Sequence, residues 1–105
     1  MAILLAGSKV WNAANWVSRA FFRDASEVVG DQSPLAERIR VCVDAQLDTL
    51  DLETASRAEL DEMRGLLEKV IALNVRRNGA NFAVPSMFPT YQQKLGELRE
   101  LLATT

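Results

Sequence analysis

No histidine occurs in this 105-residue chain, and there are only one cysteine, one tyrosine, three prolines and five glycines. Each scarcity removes a class of chemistry. Without imidazole there is no Glu-x-x-His di-iron site, no His-containing zinc site and no histidine general base. A lone Cys42 cannot close an intramolecular disulfide, so nothing indicates an oxidising compartment and the expected setting is cytoplasmic. Five scattered glycines form no P-loop and no dinucleotide-binding turn, so no nucleotide or other cofactor is expected. The run Met1–Gly7 lacks the basic start of a signal peptide. Beyond it Lys9, Asn12, Asn15 and Arg19 interrupt any stretch of the ~20 apolar residues needed to span a bilayer. Twelve basic residues against fourteen acidic ones give a net charge of −2, which offers no general attraction to phosphate backbones. Nucleic acid is therefore not an expected partner.

What is present is an ordinary globular composition, 49% apolar and 25% charged, of a length that suits a single domain spanning residues 1–105. Helical periodicity dominates it. Ser56-Arg57-Ala58-Glu59 fits a capping box. Leu60, Met63, Leu67, Val70 and Asn74 then recur at spacings of three and four, and Asn78-Gly79 supplies a left-handed stop. An earlier segment, from about Ser8 to Val29, carries one stripe of Val10, Ala14, Val17, Phe21, Ala25 and Val28, with Trp11, Ser18, Phe22 and Val29 beside it. Gly30 to Gln32 break this segment, and Ser33-Pro34 opens a helix expected to reach Thr49, with Leu35, Ile39, Cys42, Val43, Leu47 and Leu50 inward. Asp44, Asp48 and Asp51 fall on its outer face as a solvated acidic stripe. With no loop to curl around an ion, they are not expected to hold a metal. Thr90 and Gln93 match a second capping box, and Tyr91, Leu95, Leu98 and Leu102 mark a last inner face. The expected fold is all-α: a four-helix bundle-like small domain with a long Pro-containing loop before the last helix.

Charge is unevenly spread. Residues 1–23 hold three bases and no acid, residues 24–68 hold twelve acids against four arginines, and residues 69–105 hold five bases against two acids. Two apolar features exceed what a small bundle needs for its core. On one continuous helix Trp11 and Trp16 would lie about 140° apart, so one of them belongs at an edge. The segment Phe82–Pro89 places Phe82, Val84, Met87 and Phe88 outside any periodic element. Trp11, Trp16, Phe82 and Phe88 are thus the candidate protein-binding residues. Cys42 lies on an apolar stripe with no base beside it, so no catalytic residue is expected. The function expected is a non-catalytic protein–protein interaction module: a small cytoplasmic subunit, adaptor, inhibitor or immunity-type protein that binds another protein or a second copy of itself. The alternative is a peripheral membrane protein using the N-terminal amphipathic segment with Lys9, Arg19 and Arg23. A carboxylate-based enzyme using Asp44 or Asp48 comes third.

Overall fold

The computed structural model describes residues 2–29, 33–46, 49–80 and 82–105, so the expectations for Gly30–Gln32, Leu47 and Asp48 lie outside the described residues. Its first twelve residues overturn the all-α expectation. Strand β1 (Ala2–Leu5) pairs antiparallel with β2 (Lys9–Asn12), setting Ile3 opposite Trp11 and Leu5 opposite Lys9. The connecting turn Ala6–Ser8 places Gly7 and Ser8 at positive φ, +74° and +61°. A glycine between two short apolar runs is the signal of a three-residue hairpin loop. Alternation confirms the period of two: Trp11 is 2% exposed while its neighbour Val10 is 40% exposed. The long first helix expected from Ser8 is thereby corrected. It begins only at Asn15.

A third strand, β3 (Thr49–Leu52), lies parallel to β1 on its other side, giving the order β2-β1-β3. Leu50 and Leu52 face inward, and Thr49 and Asp51 face solvent. Residues expected as the end of the second helix and as a polar connection are therefore strand. Among the described residues the protein is a three-stranded mixed sheet packed on four helices, an α+β domain and not an all-α helical bundle.

The helices are α1 (Asn15–Val28), α2 (Pro34–Asp44), α3 (Arg57–Arg77) and α4 (Met87–Ala103). Ser33 caps α2, its hydroxyl accepting the Ala36 N–H at 2.9 Å with Pro34 in the first turn. Ser56 caps α3 by accepting the Glu59 N–H at 3.1 Å. At the other end of α3 the left-handed residue is Asn78 (φ +49°), followed by Gly79 at φ +78°. A Cβ on Gly79 would also come within 3.0 Å of the Phe88 ring, so glycine is needed there for space as well as conformation. The long loop shortens, because α4 starts at Met87 and not at Thr90. Pro89 sits in its first turn, where a backbone N–H has no intrahelical acceptor to lose. The Thr90 hydroxyl donates back to the Ser86 carbonyl at 3.3 Å instead of capping.

One connected cluster of buried side chains joins all four helices to the inner face of the sheet. Trp11 and Phe21 meet edge to face at 5.6 Å between ring centres, and the Trp11 indole N–H donates to the Lys94 carbonyl at 2.9 Å. Helix α4 runs antiparallel to α3, with Arg99 gripping Glu68 through two bonds of 2.6 and 2.5 Å. Both sheet edges are managed. Arg38 donates to the Asp51 carbonyl and the Cys42 thiol to that of Thr49, so α2 side chains occupy β3's acceptors. On β2, Lys9 takes the inward register opposite Leu5 and donates to the Thr104 carbonyl, a charge that disfavours pairing with another strand.

Candidate interaction surface

The four aromatics expected to bind a partner separate into two groups. Trp11, carried inward by β2, is a core residue with its only polar atom satisfied. Trp16, Phe82 and Phe88 are each half-buried. The structure brings these three together. Trp16 in the first turn of α1 meets Phe82 edge to face at 6.3 Å, and Phe82 contacts Phe88 at 6.2 Å and Tyr91 at 5.5 Å. The two edge-to-face pairs attract through their quadrupoles, and the tilted Phe82–Phe88 pair joins them into one aromatic platform. Val84, between Phe82 and Phe88, stands 50% exposed beside it.

Behind Tyr91, which Phe82 contacts, lies a charge that periodicity did not single out. Asp24 is fully buried on α1. Its Oδ2 accepts the Tyr91 hydroxyl at 2.9 Å and the Asn74 amide at 3.0 Å, while its Oδ1 accepts from Arg77 at 3.3 Å. Arg77 also reaches Glu27 at 2.5 Å, and Arg23 stands 3.8 Å from Oδ1. A buried carboxylate is tolerated only when paired and hydrogen-bonded, and these donors come from α3 and α4 as well as α1. Burial, then the charge of Asp24, push the Tyr91 phenol well above its ordinary range. Asn74, the polar member of the stripe that runs from Leu60 along α3, is one arm of this clamp; its Oδ1 accepts no bond among the described residues.

The signal for Asp24 was available. It lies seven residues after Val17, three after Phe21 and four before Val28, which places an acid in the middle of the apolar face of α1. Compared with protein-family models, curated proteins and solved structures, the chain matches none of them. Its surface must therefore be interpreted on its own chemistry.

Two other places were candidates for chemistry. A groove of about 270 Å³ between α3 and α4 is lined by Arg64, Gly65, Leu67, Glu68, Arg99, Leu102 and Ala103. Its charged rim is already engaged: Arg99 with Glu68, and Arg64 with Asp61 and the Leu102 and Thr105 carbonyls. Cys42 is buried, and burial raises its thiol above the ordinary range, which is the reverse of what a nucleophile requires. Asp44 at the end of α2 and Asp51 on β3 no longer share a helix face. Among the described residues no group of three or more His, Cys, Asp or Glu side chains is placed to hold a metal ion.

Proposed function

We propose that this protein is a non-catalytic interaction module whose contact surface is the platform of Trp16, Phe82 and Phe88. One observation carries the reading: three large rings from two separate segments meet at the surface, half-buried, and join the buried Tyr91 through Phe82. Aromatic groups held rigidly at an edge lose little conformational entropy on binding, which is why they recur as interface anchors. The setting in which it would act is cytoplasmic, as a subunit, adaptor, inhibitor or immunity-type protein. The membrane-surface reading has less support, since its continuous amphipathic helix from Ser8 is replaced by a strand and a shorter helix, and Lys9 is engaged with Thr104. No helix among the described residues is long and apolar enough to cross a membrane.

The test is affinity capture from the native cell combined with light scattering after size exclusion. Trp16→Ala or Phe88→Ala should weaken the captured complex or the self-association by about tenfold or more, while Trp11→Phe leaves it intact. A monomer whose captured partners are indifferent to both aromatic replacements would overturn the reading.

A further inference from the structure

The outer stripe of α1 continues the platform into a patch of one charge sign. Trp16, Arg19 and Arg23 are spaced by three and four residues, so they fall within about 60° of one another around the helix axis. Arg19 is exposed, and among the described residues no carboxylate pairs with it. The Arg23 side chain is 55% exposed and stands 3.8 Å from Asp24, a carboxylate that also accepts from Tyr91, Asn74 and Arg77. Glu27, one turn further on, is held by Arg77. In a chain of net charge −2, this stripe carries the opposite sign, with Arg19 free of a carboxylate partner among the described residues and Arg23 sharing Asp24 with three closer donors.

We propose that the Trp16–Arg19–Arg23 stripe, with the Phe82–Phe88 segment at its Trp16 end, receives an acidic amphipathic helix of a partner protein. The proposal rests on the interaction reading above and names the partner's chemistry. Arg19 and Arg23 are one helical turn apart, about 6 Å along the axis, which matches two carboxylates spaced one turn apart on a facing helix. Guanidinium forks pair with such carboxylates in bidentate fashion and are enriched at interfaces for that reason. The platform supplies the apolar half of the contact, with Val84 at its margin. A protein occupant fits better than lipid because the rings are locked against one another and against Tyr91, a fixed surface instead of side chains free to enter an acyl layer.

The probe is a labelled synthetic helix of about 18 residues, five turns, with leucine on one face and glutamate on the other. Its counterpart carries lysine for glutamate, and vesicles of phosphatidylserine and phosphatidylcholine form a third arm. Binding is followed by anisotropy and by amide shift mapping on the protein. The glutamate helix should bind with shifts centred on residues 16–23 and 82–88, and the lysine helix should not. Arg19→Glu with Arg23→Glu should weaken binding about tenfold or more, and Arg19→Gln with Arg23→Gln should weaken it less, with the helical circular dichroism retained. Equal binding of both peptides, indifference to the arginine variants, no peptide binding, or binding to vesicles alone would overturn the proposal. If the aromatic replacements abolish capture of a native partner while the arginine variants do not, the acidic-partner proposal fails and the interaction reading stands. If neither set has an effect, both fail.

Discussion

Asp24 shows how one residue can tie a fold together. Its carboxylate is enclosed by α1, α3 and α4 and receives three donors, so its removal leaves the Tyr91 phenol without its acceptor and takes one bond each from Asn74, which keeps the Val70 carbonyl, and Arg77, which keeps Glu27. Asp24→Ala is expected to lower stability by about 3–5 kcal/mol, as when one partner of a buried ion pair is deleted. Tyr91→Phe removes a single bond to a charged acceptor and should cost about 1.5–3 kcal/mol. Urea unfolding of the two variants checks both the size and the order. Tyr91 also makes an alkaline prediction. Its phenol is raised above 10 in the folded state, so folding keeps a proton that the unfolded chain releases. The associated stability is whole below about pH 10 and falls by about 1.4 kcal/mol per unit above it. Tyr91 is the one tyrosine in the chain, so absorbance of the phenolate at alkaline pH reports on it alone. Its ionisation should coincide with unfolding, and Tyr91→Phe should lose this part of the pH dependence.

Among the elements, β1 has the largest consequence for its size, because both other strands hydrogen-bond to it. Ile3, fully buried at its centre, should cost about 2–5 kcal/mol when cut to alanine. Val10→Thr on the outward face of β2 should stay within about 0.5 kcal/mol. Thermal melts of this pair test the strand alternation directly, since a helix running from Ser8 would have turned Val10 inward. The hairpin leaves no mark in helical periodicity for a physical reason. Ala2-Ile-Leu-Leu5 and Lys9-Val-Trp-Asn12 are each four residues, too short for periods of 2 and 3.6 to be told apart. Leucine and alanine favour helix locally, and pairing across the Gly7 turn and with β3 overrides them. Helix α3 is the opposite case: its cap, its stripe and its left-handed end are all local, and all three lie where the residue order places them.

For the molecule as a whole, the Cα radius of gyration is 12.9 Å, about the value expected of a compact chain of this length. X-ray scattering at low concentration should return roughly 13–14 Å if any self-association has been diluted away, since the hydration layer adds slightly to the Cα figure. A radius rising with concentration, and suppressed by Phe88→Ala, would identify a second copy as the occupant of the aromatic platform. The charge asymmetry belongs to this scale too. Acids concentrated in residues 24–68 leave the outward stripe of α1 basic, so association through it should weaken as salt rises.

Residue order alone determined the local features of this protein: the caps at Ser33 and Ser56, the inner faces of α3 and α4, the unusual Asn74, and the surplus of aromatics around residues 82–88. Each depends on neighbours within about four residues, where helix geometry makes order equivalent to position. Tertiary structure decided what depends on distant partners. It made strands of residues 2–12 and 49–52, because a strand this short is stable only when paired. It sent Trp11 inward while leaving Trp16 at the surface, and it brought Asp24, Asn74 and Tyr91 together across as many as 67 residues of chain. The candidate surface is divided in the same way: its rings could be named from residue order, but their assembly with Trp16, and the joining of Phe82 through Tyr91 to the Asp24 cluster, required α1, α3 and α4 to pack.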